Sequence, residues 1–340
     1  MRRFLFCVLG AFILAASPRA AGSQEAPRTF WLIVTGLSGE AEYAASYNSW
    51  AGTIADAART RFGAHDVTWL AEAEGEDRAG ASTKAGIESA LTRIASTANR
   101  TDALFIVLIG HGSFADGIGK ISLPGPDLTA PDLAKLLAAV PARTVVINTA
   151  SASGAWIAPL AAPGRLILTA TKSGTEQNET TFPRYFADAL TRDDADTDKD
   201  RRVSVLEAYE YARREVAREY AADKRMLTEH AQIDGNGDGR AVAIASPDSA
   251  DGAVAALTHF GITGSAARAG ASASPGAASA QQSPELRALY ATKAKLEQQL
   301  ADLRGRKASM TDAEYQKLLE PLLLDIARNG SEIRKLEGGQ

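Results

Sequence analysis

Cysteine is almost absent from this chain: Cys7 is the only one among 340 residues. That excludes a disulfide framework and a zinc centre built on thiolates. Membrane-length apolar runs are missing as well. Phe4 to Ala16 (FLFCVLGAFILAA) is 13 residues long, against roughly 20 needed to span a bilayer. Arg2 and Arg3 precede it and the small residues of Ser17-Pro-Arg-Ala-Ala-Gly22 follow it, which is the layout of a secretory signal cleaved near Ala20 to Gly22. Residues 1–21 are therefore expected to leave the protein, taking the cysteine with them. Nor is there an excess of positive charge. Lys plus Arg number 37 against 41 Asp plus Glu, a net of −4, and loss of Arg2, Arg3 and Arg19 takes this to −7. No basic field recommends nucleic acid or an anionic membrane as the main partner, and the signal segment predicts a secreted or periplasmic setting. The Ala-rich composition is bacterial in character. Histidines are few, and His65, His111, His230 and His259 are too widely spaced for a zinc pattern such as His-Glu-Xaa-Xaa-His. Any chemistry of the mature chain must use oxygen, nitrogen or a metal.

What is present has a globular balance, with 45% hydrophobic and 23% charged residues. Composition divides the mature chain into three blocks: residues 28–262, an Ala/Gly/Ser spacer over 263–283 that reads as a flexible linker, and a heptad-patterned stretch over 284–337. In the first block, Thr29 to Gly36, Val67 to Leu70, Ala103 to Gly110, Thr144 to Thr149 and Arg165 to Ala170 are β-rich runs of strand length. Helical patterns over Tyr47 to Arg61, Thr83 to Ser96, Ala130 to Val140 and Phe182 to Leu190 alternate with them. Unbroken apolar strands imply cover on both faces, hence a three-layer α/β sandwich around a mostly parallel sheet. In the last block, Leu286, Leu289, Lys293, Leu296, Leu300 and Leu303, then Tyr315, Leu319, Leu322, Ile326, Asn329, Ile333 and Leu336, step by three and four. These are two coiled-coil seams, predicted to form an α-helical hairpin through which the chain could also dimerise or hold a partner. Thr311-Asp-Ala-Glu314 is a capping box for the second helix, and Pro321 should kink it.

Sites in such sheets gather beyond the carboxyl ends of the strands. There the sequence places Ile109-Gly110-His111-Gly112-Ser113 after the third strand and Asn148-Thr-Ala-Ser151-Ala-Ser153-Gly154 after the fourth. A histidine near a serine is a base-and-nucleophile arrangement, and the small neighbours leave main-chain N–H groups free to hold an oxyanion. An apolar strand ending in His-Gly-Ser, then a second ending in Ala-Xaa-Xaa-Ser-Gly, resembles the caspase/legumain superfamily of cysteine peptidases, and its bacterial secreted legumain-like branch in particular. The similarity runs over about residues 28–240. It includes Gly36-Leu-Ser-Gly39-Glu40, Thr169-Ala-Thr-Lys-Ser-Gly174 through Glu179, and Thr228-Glu-His230 before Asp234-Gly-Asn-Gly-Asp-Gly239.

The resemblance implies that His111 matches the family's catalytic histidine, that Gly112 supplies an oxyanion N–H, and that Ser151 stands where the family has its nucleophilic cysteine. Serine is a weak nucleophile that needs a well-oriented base and a third group holding that base. No such carboxylate can be named from the sequence. Two readings follow: a degenerate peptidase homologue serving as a binding or scaffolding module, or an active endopeptidase in which Ser151, or Ser153, attacks with His111 as base.

A separate signal is Asp196-Thr-Asp198-Lys-Asp200-Arg-Arg202-Val-Ser204-Val-Leu-Glu207. Carboxylates at positions 1, 3 and 5, a main-chain carbonyl from Arg202 at 7, Ser204 at 9 and Glu207 at 12 match the EF-hand-type loop that wraps Ca²⁺. Arg201 stands where that loop usually has glycine. Asp234-Gly-Asn236-Gly-Asp238-Gly239 opens with the same rhythm but has Ala245 at position 12, so it reads as a tight turn or as extra ligands for a nearby site.

Overall fold

The computed structural model describes residues 26–73, 75, 77–261 and 310–337, with single positions 289, 292, 296, 299 and 303. The expected signal segment, the expected 263–283 linker and most of the first heptad-patterned stretch lie outside them. In chain order the elements begin β1 (Thr29–Thr35), α1 (Ala41–Asp56), β2 (Asp66–Ala71), β3 (Gly80–Ala81), α2 (Lys84–Thr97), β4 (Ala103–Ile109), β5 (Gly112–Ala115), β6 (Ile118–Ile121), β7 (Leu128–Thr129) and α3 (Ala130–Leu137). They continue with β8 (Arg143–Asn148), α4 (Ile157–Leu160), β9 (Arg165–Thr169), α5 (Phe182–Thr191), α6 (Val205–Ala222), β10 (Gln232–Asp234), α7 (Ala250–Leu257) and α8 (Asp312–Glu337).

All five apolar runs are strands, and they sit side by side. The main sheet has the order β10-β9-β8-β4-β1-β2-β3, and every neighbouring pair is parallel except β9–β10. Successive side chains of a strand point to opposite faces. Trp31 and Ile33 of β1 therefore join Tyr47 and Ile54 of α1, Phe186 of α5 and Tyr209 of α6 on one side. Phe30, Leu32 and Val34 join Ile87 and Leu91 of α2, Leu133 of α3 and Leu160 of α4 on the other. These are the three layers of an α/β sandwich. Trp31 stacks on Phe105 with ring centroids 4.7 Å apart and lies 5.6 Å from Phe260, and Trp31, Trp69 and Trp156 are all buried. Each such fully buried side chain contributes about 1.5–3 kcal/mol, so the tryptophans are core.

Two differences from the expected pattern matter for the site. Helix α1 starts at Ala41, six residues before the apolar periodicity begins, and the extra turns bring Tyr43 to the sheet edge one turn before Tyr47. It ends in a π-helical turn over Ala57–Arg61. The stretch after β4 forms a small antiparallel sheet in the order β5-β6-β7, which no apolar run announced. Its first hairpin turns at Asp116 and Gly117, both at positive φ, as a tight hairpin requires.

Helix α8 runs through Pro321 and is capped by Thr311, whose Oγ1 accepts from Glu314 N at 3.3 Å while Thr311 N donates to Glu314 Oε2 at 2.9 Å. Tyr315 and Asn329 of the expected seam are buried and Leu319, Leu322 and Ile326 half-buried, whereas Leu318 and Leu324, off the seam, are 48% and 50% exposed. No described helix is long and apolar enough to cross a membrane.

Candidate functional site

The carboxyl ends of β1, β2, β4, β8 and β9 open on one edge of the sheet, and the residues singled out for chemistry meet there. Beyond β4 the chain passes Gly110, at φ +152°, whose Cα side faces Gly36 at close range; a Cβ at Gly110 would come within 3.3 Å of the Gly36 main chain. This tight crossing aims His111 at the loop after β1. Its main chain is fixed by Ser122 N, which donates to His111 O at 3.0 Å.

His111 Nε2 lies 3.0 Å from the Ser38 carbonyl oxygen. A carbonyl can only accept, so this nitrogen carries a proton. Ser38 is in turn held by Glu72, whose Oε2 accepts from Ser38 N at 3.0 Å and from Ser38 Oγ at 2.7 Å. The other ring nitrogen, Nδ1, is 2.8 Å from Glu179 Oε2. Tyr47 Oη donates to Glu179 Oε1 at 2.7 Å and rests 3.3–3.4 Å from the two ring nitrogens of His111. Tyr43 packs edge-on against the imidazole with centroids 5.0 Å apart. Burial raises the Glu179 carboxyl above its ordinary range, against the opposing pull of Tyr47 and His111, and burial, then the hydrogen bond to Glu179 and the Glu179 charge, drive the Tyr47 phenol well up. The result is a half-buried chain of proton-bearing groups, Tyr47–Glu179–His111.

Ser151 is one peptide unit away and 3% exposed. Its Oγ accepts from Gly112 N at 2.9 Å and donates to Gly112 O at 3.0 Å. The fit is close, since a Cβ at Gly112 would fall 2.0 Å from Ser151 O, so no side chain is possible there. Among the described residues Ser151 and His111 share no hydrogen bond. Ser153 opens a short 3-10 turn and is fully buried; its Oγ accepts from Ala170 N at 3.1 Å and Thr171 N at 3.2 Å and pairs with Thr171 Oγ1. Between the two serines Ala152 adopts φ +55°, a left-handed conformation that costs a residue with a side chain about 1 kcal/mol.

The loop after β9 staples the edge together. Glu176 O accepts from Ala152 N at 2.7 Å, and its carboxylate takes Lys172 N at 2.9 Å, His230 N at 3.1 Å and His230 Nδ1 at 2.5 Å. Thr180 Oγ1 donates to Thr149 O at 2.6 Å. Glu229 accepts from Thr181 N, Thr181 Oγ1 and Phe182 N at 2.8–3.2 Å, capping the first turn of α5 where Thr181 makes no cap of its own. Glu179 and Glu176 are the residues that reading the sequence missed. Their signal was positional: two acids beyond the carboxyl end of a buried parallel strand.

The 196–207 loop lies before α6. Asp196, Asp198 and Glu207 each offer a carboxylate oxygen, all within 4.8 Å of one another. Asp196 Oδ2 accepts from Arg201 N at 2.8 Å, Asp198 Oδ1 from Asp200 N at 3.0 Å, and Asp200 Oδ1 from Arg202 N at 2.8 Å. Glu207 Oε1 takes Thr197 N at 2.7 Å and its Oε2 completes a capping box with Ser204. Asp200 Oδ2 turns to the Arg202 guanidinium, with His259 Nε2 at 3.7 Å. Lys199 and Arg201 sit at φ +60° and +66°, so the chain makes the turn despite Arg201. The 234–239 turn has the same wiring: Asp234 accepts from Gly239 N, Asn236 from Asp238 N, and Asp238 from Arg240 N, each at 2.8 Å, with Gly237 and Gly239 at positive φ. Where the first loop has Glu207, this one has Asp251 of α7, whose Oδ1 accepts from Gly235 N at 3.0 Å.

No protein-family model matches the chain, and no curated protein does. Among solved structures it is similar to a Geobacter sulfurreducens protein, over 69% of this chain and 99% of the other at 12% identity and a TM-score of 0.46. It is also similar to caspase-1 from Spodoptera frugiperda, over 56% of this chain and 77% of the other at 14% identity and a TM-score of 0.37.

Proposed function

We propose that this is a secreted or periplasmic caspase/legumain-like protein whose cleft holds a protein or peptide without cutting it, a degenerate peptidase homologue acting as a binding or scaffolding module. One observation carries this reading. The Ser151 hydroxyl and the Gly112 peptide satisfy each other, Oγ taking the N–H and giving its own proton to the carbonyl. The group that should attack and the N–H that should hold an oxyanion are thereby spent on one another, and His111 is turned to Ser38 and Glu179 instead. Hydrolysis of a peptide bond needs the opposite arrangement: a serine whose proton has a base to go to, and an N–H open to the developing charge.

The alternative, an endopeptidase with Ser151 as nucleophile and His111 as base, is favoured by a different fact. His111 does have a carboxylate neighbour, Glu179, as a general base requires. Incubating the purified protein and its Ser151→Ala variant with an unbiased peptide mixture, and reading both new termini and retained peptides by mass spectrometry, separates the two. We expect a subset of peptides retained by both proteins and no new termini. Cleavage by the parent that Ser151→Ala abolishes would overturn the binding-module reading and supply a specificity at once.

The residues of the 196–207 loop fit a hard cation. Asp196, Asp198 and Glu207 bring three carboxylates within 4.8 Å of one another, and the Arg202 carbonyl and Ser204 stand at the remaining positions of the loop. We assign Ca²⁺ to this loop; Asp200, drawn to Arg202, would have to turn to join. Bound there, the ion would neutralise the acids and tie the loop to the start of α6. Calorimetric titration of the metal-free protein with Ca²⁺ should give heat that an Asp196→Ala/Asp198→Ala variant lacks, and no heat from the parent would reject the assignment.

A further inference from the structure

We propose that Glu179 is a built-in cap on His111, a device that keeps the imidazole from taking up a nucleophile's proton. The inference rests on the peptidase-fold reading of the cleft and concerns its regulation. An imidazole has two nitrogens, and a general base must present one of them, with a lone pair, to the group it deprotonates. Here Nε2 is spent as a donor to the Ser38 carbonyl at 3.0 Å. The nitrogen left over, Nδ1, lies 2.8 Å from Glu179 Oε2, close enough for the two to share a single proton and leave no free lone pair for a nucleophile.

The cap is anchored from outside the pair. Tyr47 Oη donates to Glu179 Oε1 at 2.7 Å, and Tyr47 belongs to the core face of α1. Thr180, the next residue, is tied to Thr149 O at 2.6 Å, and Thr181 to Glu229. The Thr180 and Thr181 bonds fix the main chain that carries Glu179, and the carboxylate cannot swing off the ring without giving up its bond to Tyr47. Tyr43 closes the imidazole's edge, so the ring is held between a wall, a carbonyl and a carboxylate. Glu176 is a contrast in the same loop: three residues earlier, its carboxylate binds main-chain N–H groups of Lys172 and His230 as well as the His230 ring. Among the described residues Glu179 takes no main-chain donor; Tyr47 holds its Oε1 and His111 Nδ1 lies 2.8 Å from its Oε2.

A thiol placed at position 151 reports whether His111 can act. An unassisted thiol titrates near 8.5, and an adjacent imidazole free to accept its proton lowers that value by one unit or more. In a Cys7→Ser background, so that the introduced thiol is the sole one, the pH profile of iodoacetamide alkylation is measured for Ser151→Cys alone and combined with Glu179→Ala. With the cap in place the midpoint should stay at or above about 8.5; without it the midpoint should fall by at least about one unit, making alkylation near pH 7 roughly tenfold faster. Adding His111→Ala should erase the gain. Tyr47→Phe, which loosens the anchor and leaves the carboxylate in the loop, should shift the profile in the same direction by less, and it decides the matter should Glu179→Ala fail to fold. Unchanged profiles in the folded variants, or a shift that survives loss of His111, would overturn the cap. Peptide cleavage by the parent protein, measured separately, would instead overturn the reading it rests on.

Discussion

The two ends of the parallel sheet treat buried carboxylates in opposite ways. At the amino end, Asp102 precedes β4 and accepts from Arg28 N at 2.8 Å, Asn99 N at 2.9 Å and the Arg28 guanidinium at 3.0 Å. Burial alone would raise its carboxyl, but the two main-chain N–H groups and Arg28 outweigh it and hold the group below the usual carboxylate range. At the carboxyl end, Glu179 has only a phenol and an imidazole, and burial wins, raising it. One carboxylate is fully compensated by fixed donors and serves the architecture. The other is left among groups that can exchange protons, the condition under which active sites are built. The difference marks the carboxyl edge as the end of the sheet suited to proton exchange.

The sharpest way to break the comparison is to neutralise each acid. Asp102→Asn should cost about 3 kcal/mol at pH 7, since it strands Arg28 and removes an acceptor shared by several donors. With a folded-state value below the unfolded one, Asp102 stabilises the protein above about pH 4 and that contribution disappears as pH falls through the lowered value. The variant should thus show a smaller drop in stability between pH 7 and pH 3 than the parent, as read by urea unfolding. A small loss at pH 7 would deny Asp102 its role as a staple.

Ser151→Ala comes next, at about 1–2 kcal/mol, because both halves of the Gly112 peptide lose their partner. A serine kept for catalysis alone is often neutral or stabilising when removed, so a variant as stable as the parent would weaken the binding-module reading. Glu179→Gln should have the smallest effect, about 1 kcal/mol or less, and the opposite pH dependence. The Glu179 value is raised on folding, so its contribution is fully present at low pH and declines as pH rises from its ordinary range through the folded value. The glutamine variant should flatten the parent's stability over that window, and a slope unchanged between pH 4 and 8 would contradict the raised carboxyl.

Much of this was legible beforehand. Five apolar runs named the buried strands within a residue or two, because a strand covered on both faces cannot hide its hydrophobicity. The crossover topology put His111 and Ser151 on one edge, and Thr311 capped its helix as spacing required, whereas Ser204, expected as a loop ligand, also caps α6. What escaped were features that depend on partners distant in sequence. The first turns of α1 carry little apolar periodicity, and Tyr43 and Tyr47 gain meaning only against His111. Strands β5 to β7 are short, and Gly112 and Gly119 dilute their pattern, although Asp116-Gly117 was a hairpin signal in plain view. Glu179 could not be assigned because the side chain it meets lies 68 residues away along the chain, and nothing local marks an acid as buried. Asp251, which takes the place of Glu207 in the second acidic turn, escaped for the same reason.

The central claim is that Ser151 is a satisfied hydroxyl and not an activated nucleophile. A fluorophosphonate probe tests it most directly, since only a serine whose proton is drawn off by a base reacts readily with one. Intact-mass measurement of the protein after incubation should show no adduct, with or without Ca²⁺. A single phosphonyl adduct mapped to Ser151, and lost in His111→Ala, would contradict the account and restore the molecule to the enzymes.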